Sequence, residues 1–273
     1  MKRTFLICLG FLGAALAPSV TLAKIPSTAV NPNSLKPIPE SEILMRKKVW
    51  REIDFLVKPN KPFFAYQKEI TKSIIEGVQA GQLTPYKDEE FLDPMTQGEF
   101  LENLKLPEGD AQTFTADDDD DWGEDSPQKD GPKEEASDSF LPNEVSIIEI
   151  MEHWIFDKVR SQQDYDIQYF KLIIPASKFE TGLRRVVGIF KYKDLAHYFD
   201  EHKVFWVNVD NSAGHLTMTT AFEKRLFLSR ITKVENPDNL ALADIYKTPK
   251  AEAKASQRIE EELLEKEYFL WAP

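Results

Sequence analysis

An acidic stretch near the middle of the chain is the feature that most constrains its fold. Apolar residues become sparse from residue 107 to residue 142, and residues 117–138 include eleven acidic residues and two lysines, a net charge of −9. Like charges at this density cannot bury enough apolar surface to offset the entropy lost on ordering. We therefore predict a disordered acidic loop over residues 107–142, between two folded parts of the chain.

Composition and charge exclude several classes of protein. A hydrophobic content of 42% in 273 residues is enough to form a sizeable core. The net charge of −12 disfavours binding to nucleic acid, and the single cysteine, Cys8, rules out a disulfide framework or a thiolate metal site. The five aspartates of residues 117–121 could supply calcium ligands, but the sixth position of that segment is Trp122, where an EF-hand loop needs glycine.

The N-terminus has the pattern of a signal peptide. Two basic residues are followed by a thirteen-residue apolar run at positions 5–17, which is shorter than the roughly 20 residues of a membrane-spanning helix. A short membrane anchor is the alternative. Small residues at the recognition positions predict cleavage between Ala23 and Lys24. No later stretch is long and apolar enough to span a bilayer, so we expect a soluble protein outside the cytoplasm.

Local patterns divide the remainder into several parts. Residues 24–40 are rich in proline and predict an extended arm, and residues 41–106 predict the N-terminal helical part of the core. Helices are expected over residues 41–55 and 67–80, the second ending at Gly81. A third helix is expected to begin at Thr96, because Glu99 completes a capping box.

The second folded part, residues 143–248, has mixed character. We predict a short helix starting at Ser146, then strands over residues 154–156, 165–174, 185–192 and 203–209, the last buried on both faces. A turn is expected over residues 157–164, a helix over 194–200, and a further helix capped by Thr220. This order favours an α+β fold with a small antiparallel or mixed sheet.

The C-terminal segment, residues 251–273, predicts an amphipathic helix. Ile259, Leu263 and Leu270 form its apolar stripe, opposite an acidic face. Such a helix can dock onto its own core or capture a partner, and its terminal aromatic residues are of the type that anchors interfaces.

Catalytic patterns are missing from the sequence. Only four histidines are present, and His197 and His202 are five residues apart, a spacing that does not bring both to one metal on a helix. None of the common nucleophile, zinc or phosphate-binding motifs occurs. We therefore expect a non-catalytic protein that binds no cofactor and no metal.

Three separated motifs and the end of the chain carry a family resemblance. Residues 49–54 include Trp50 and Asp54, residues 81–86 form a Gly-x-Leu-Thr-x-Tyr motif, and the third motif covers residues 154–161. Together they resemble the GldN/PorN family, which belongs to the type IX secretion and gliding-motility machinery of Bacteroidota. The positions that match and that could contact a partner are Trp50, Asp54, Trp154, Phe156, Asp157, Lys158, Arg160, Ser161 and Trp271. The charged turn after Trp154 is either partner-facing or a local ion-paired hairpin.

This resemblance implies a structural role in the periplasm. It implies a ring formed by self-association and by an outer-membrane lipoprotein of the GldK/PorK type, through which the chain is attached to the outer membrane. It also implies contact with the periplasmic domain of an inner-membrane, motor-linked protein of the GldM/PorM type. We expect the proline-rich arm and the terminal helix to reach between subunits. The alternative is a monomeric periplasmic hydrolase or metal-dependent enzyme.

Overall fold

A computed structural model describes residues 29–106, 139–209, 211 and 213–271. An antiparallel five-stranded sheet in the order β6-β5-β4-β1-β9 forms its centre. The strands are β1 (Ile43–Asp54), β2 (Phe64–Ala65), β3 (Lys68–Glu69), β4 (Ile147–Asp157), β5 (Gln162–Ile174), β6 (Arg185–Lys191), β7 (Phe205–Trp206), β8 (Leu216–Thr217) and β9 (Arg230–Val234). The helices are α1 (Ile70–Gln79), α2 (Gln97–Asn103), α3 (Tyr192–Glu201), α4 (Met218–Glu223), α5 (Leu242–Ile245) and α6 (Pro249–Trp271). The predicted α+β class is confirmed.

The two central strands replace two predicted helices. β1 occupies most of residues 41–55, and β4 starts next to Ser146, so both helix predictions are wrong. β1 and β4 pair along nearly their whole lengths, with Ile53 opposite Ile148. Ile148 and Ile150 are buried on the same face of the sheet, because side chains two residues apart in a strand point to the same side. β-branched side chains such as these are favoured in strands.

Other local predictions agree with the structure, with three corrections. β5, β6 and the helix predicted over residues 194–200 are present. The turn predicted over residues 157–164 covers only residues 158–161, because β4 extends to Asp157 and β5 begins at Gln162. The strand predicted over residues 203–209 is wrong in length and burial: only Phe205–Trp206 is a strand, and Phe205 is exposed. The N-terminal cap of α4 lies three residues before the predicted cap, because Thr217 rather than Thr220 accepts the hydrogen bond at the N-terminus of this helix.

Four helices cover one end of one sheet face. The apolar side of α1 is buried as predicted, and Thr96 and Glu99 form the predicted capping box of α2. α1, α2, α3 and α4 pack with Ile53 and Ile150 in the larger hydrophobic cluster. This cluster is the main core of the described residues.

The terminal helix covers the other end of the same face. α6 confirms the predicted C-terminal helix and contacts β9 and α5. Ala255 and Leu263 are buried with Val49, Trp154 and Ile231 in a second hydrophobic cluster. The helix is therefore docked on its own chain, which is one of the two alternatives that the sequence left open.

The opposite face of the sheet is covered in part by the arm and by a loop. In the arm, Asn31 Nδ2 donates to Gln168 Oε1 at 2.7 Å, and the buried Ser34 Oγ donates to Asp166 Oδ1 at 2.8 Å. The loop over residues 86–95 begins at Tyr86, whose backbone pairs with Ile189 of β6. The described part of the arm is thus attached to β5, whereas the signal sequence and the acidic segment 107–138 lie outside the described residues.

Candidate interaction surface

Two aromatic residues of the third motif belong to the core. Trp154 is fully buried in the second hydrophobic cluster, and Phe156 is also buried. Both lie in β4, a central strand that has neighbours on both sides. Their side chains therefore stabilise the fold and do not form an exposed contact.

Asp157 organises the turn that follows. Its carboxylate accepts hydrogen bonds from the backbone N–H groups of Val159 and Arg160, and from Arg160 Nη1 at 2.6 Å. Burial would raise the pKa of the Asp157 carboxyl, but these hydrogen bonds outweigh burial and hold that pKa below its ordinary value. The turn is accordingly a local ion-paired hairpin.

The remaining motif residues of this turn have exposed side chains. Lys158 is exposed, and its backbone N–H donates to the carbonyl of Glu42. Ser161 adopts a φ of 49°, in the left-handed region that a tight turn between two strands can require. Of the third motif, Lys158, Arg160 and Ser161 thus remain available at the surface.

The first motif places its tryptophan on the opposite sheet face. The half-buried Trp50 donates from Nε1 to Tyr169 Oη at 2.9 Å, and Lys233 Nζ lies 4.6 Å from a Trp50 ring centroid. Asp54 ends β1 and accepts a hydrogen bond from the backbone N–H of Leu56. These contacts are internal, so Trp50 and Asp54 have clear structural roles.

A charged network separates the two hydrophobic clusters. The side chain of Arg51 is only 2% exposed, and its Nε donates to Glu152 Oε1 at 2.5 Å, while Glu152 also accepts from Arg225 at 2.7 Å. Arg51 Nη1 makes two further hydrogen bonds, at 2.8 and 2.9 Å, to the carboxylate of Glu260 on α6. Burial would lower the pKa of Arg51, but the two carboxylates outweigh burial and raise it.

Two aromatic side chains near the C-terminal end of α6 are exposed. Tyr268 and Phe269 are 74% and 71% exposed, and Leu264 is 56% exposed, whereas Leu263 is buried in the second hydrophobic cluster. Trp271 is the last residue of the helix. Aromatic side chains exposed on a docked helix are the type of group that anchors a protein interface.

Sequence reasoning missed a cleft beside β5. Its walls come from residues 35–38 of the arm and residues 162–167 of β5, and Tyr192 and Glu223 also line it. The cleft depends on where β6 stops and where the arm crosses the sheet. No local sequence pattern contains that information.

The part of the chain that the structure describes contains neither a metal-binding cluster nor a membrane-spanning helix. There, no group of three or more histidine, cysteine, aspartate or glutamate side chains is placed to hold a metal ion. No helix in this part has the length and apolar character needed to span a membrane. The predicted cleavage site at Ala23 and Lys24 lies outside the described residues.

The fold and these surfaces define an α+β protein built around one five-stranded sheet. Its motif residues mostly support the fold, and the end of its terminal helix carries exposed aromatic side chains. A family model described as gliding motility associated protein GldN matches residues 38–272. The chain therefore belongs to the GldN family of gliding-motility-associated proteins. No curated protein matches its sequence.

Proposed function

We propose that this protein is a non-catalytic periplasmic subunit of the type IX secretion and gliding apparatus. In this role it forms a ring by self-association and with an outer-membrane lipoprotein of the GldK/PorK type, and it contacts an inner-membrane, motor-linked protein of the GldM/PorM type. The observation that carries the proposal, beside membership of the GldN family, is the exposed pair Tyr268 and Phe269 on a helix that is otherwise docked. A subunit of a large assembly needs such exposed anchor residues.

The test is purification of the tagged full chain from a detergent-solubilised envelope of its own host. We expect the lipoprotein to co-purify with it in a large assembly. Recovery of the chain as a lone monomer under conditions that preserve other envelope complexes would contradict the proposed role.

Point variants connect this experiment to the structure. Replacement of Tyr268 and Phe269 by serine should reduce the recovered partner at least tenfold, because truncating two anchor residues removes several kcal/mol of binding energy, each hot-spot residue contributing about 2 kcal/mol or more. Leu183→Ser is the matched control, since Leu183 is 71% exposed but lies in the loop before β6. Equal loss in both variants would show that the aromatic pair has no specific role.

A further inference from the structure

Half of β5 has an unpaired edge. β4 pairs with β5 from Gln162 onward, whereas β6 pairs only with Tyr169–Ile174. Within the described residues, positions 162–168 therefore have a strand on one side only. Alternate residues of an edge strand direct their N–H and C=O groups away from the sheet, so this edge can pair with another extended chain.

This edge forms one wall of the cleft that the arm closes on the other side. The cleft has a volume of about 490 Å³, which is within the usual range of ligand sites. Leu35, Ile38 and Ile167 contribute apolar residues to the lining, and β5 also contributes polar ones. The lining therefore suits a ligand with both apolar and polar groups, as in an extended peptide.

Two buried polar groups in the cleft lack partners among the described residues. Tyr192 is only 3% exposed and its Oη has no hydrogen bond, and the buried Oε1 of Gln163 has none either. A buried polar group without a hydrogen bond destabilises the folded chain, because it has lost its contact with water. Because both residues line the cleft, a bound group that donates and accepts hydrogen bonds there would remove this cost.

The charges of the cleft favour a basic ligand. Its two cations are already paired, Lys36 with Glu223 at 2.8 Å and Arg160 with Asp157 at 2.6 Å. In the described part of the chain, Asp164 and Asp166 have no ion-pair partner within 4.0 Å. Asp166 accepts hydrogen bonds from the arm, whereas Asp164 accepts one from the exposed side chain of Gln162, at 3.2 Å. Asp164 is therefore the carboxylate that a ligand can reach.

We propose that an extended segment of a partner protein binds in this cleft as an added strand on β5, with a lysine or arginine side chain beside Asp164. The free backbone edge favours a peptide over a small amine, because a peptide can repeat main-chain hydrogen bonds along the strand. This inference rests on the proposed function, since it assigns a docking surface for a partner in the assembly.

The test uses a photo-crosslinking side chain, benzoylphenylalanine, at the exposed position Gln162 of the full chain in its native envelope. We expect an adduct with another protein, in which mass spectrometry places the crosslink within a segment that includes lysine or arginine. Asp164→Lys should reduce the adduct at least tenfold, because it inverts the charge that the ligand meets. Glu180→Lys, an exposed acidic position outside the cleft lining, is the matched control and should leave it unchanged.

Several outcomes would overturn the inference. These are the absence of an adduct from position 162, an adduct only with the arm of the same chain, and a partner adduct that Asp164→Lys does not reduce. If the lipoprotein co-purifies with the wild-type chain in any of these cases, the cleft is rejected as an assembly surface while the proposed function stands, whereas a monomeric wild-type chain would reject the proposed function itself.

Discussion

The buried network between the two hydrophobic clusters leads to a quantitative prediction. Glu152 is fully buried and contacts the guanidinium groups of both Arg51 and Arg225. Unit charges about 4 Å apart interact by about 4 kcal/mol at an effective dielectric constant near 20. Breaking a buried ion pair costs a similar amount, about 3–5 kcal/mol, because the remaining charge stays buried without compensation. We expect Glu152→Gln to lower the free energy of unfolding by this amount.

The assay is urea unfolding of the chain that begins at Lys24, followed by tryptophan fluorescence and circular dichroism. Glu260→Gln is the matched control: Glu260 also contacts Arg51, but its side chain is 45% exposed, so we expect a loss of about 1 kcal/mol or less. The double variant Arg51→Met with Glu152→Met should recover part of the stability lost in Glu152→Gln, because it removes both buried charges of that pair. Equal losses for Glu152→Gln and Glu260→Gln, or a loss below about 1 kcal/mol for Glu152→Gln, would refute this reasoning.

Three further predictions concern single positions. Burial and nearby cations lower the pKa of His153 from 6.5 to about 4, so the unfolded chain binds a proton between these pH values that the folded chain does not. Stability should therefore fall as the pH drops through this window, and His153→Gln should reduce that fall in urea midpoints measured across it. Gly77→Ala should destabilise by about 1–3 kcal/mol in thermal unfolding, because the added Cβ would lie 2.9 Å from Tyr198 Cζ; an unchanged melting temperature would contradict this. Asp157→Ala should cost about 1–3 kcal/mol through lost turn hydrogen bonds, whereas the exposed Lys158→Ala should change stability by less than about 0.5 kcal/mol.

The features that sequence predicted well are those that depend on near neighbours. α1 follows from apolar residues at helical spacing, and the start of α2 follows from Thr96 and Glu99, which contact each other directly. β5 and β6 contain runs of β-branched and aromatic residues whose preference agrees with their final environment. In these elements the local preference and the tertiary context favour the same structure.

β1 and β4 show where local preference fails. Arg46, Lys47 and Lys48 favour helix in isolation, yet they lie in a strand because β1 pairs with a segment about one hundred residues later. Ser146 and Glu149 have the spacing of a capping box, but the isoleucines around Glu149 are buried in the sheet. Long-range strand pairing determines the conformation of both segments, and a single sequence does not reveal which strand is the partner.

The candidate site was harder to predict for the same reason. Trp50 and Trp154 each belong to one of the sequence motifs, and the sequence does not distinguish their environments. In the structure they lie on opposite faces of the sheet, and of the two only Trp154 is fully buried. Arg51, next to Trp50, lies on the same covered face as Trp154. It connects Glu152 to α6 through its hydrogen bond to Glu260. Which motif residues are fully buried thus depends on the side of the sheet that the helices cover.

The same geometry changes the interpretation of the terminal helix. Ser256 Oγ accepts a hydrogen bond from the backbone N–H of Ile231, Glu260 binds Arg51, and Leu263 is buried against the sheet. α6 therefore covers Val49 and Trp154, and deletion of residues 251–273 would expose that cluster and destabilise the fold. Loss of assembly after such a deletion would not distinguish a missing contact from an unfolded subunit. Substitution of Tyr268 and Phe269 leaves the docked positions of α6 intact. Of the two changes, only this substitution therefore tests whether α6 contacts another subunit.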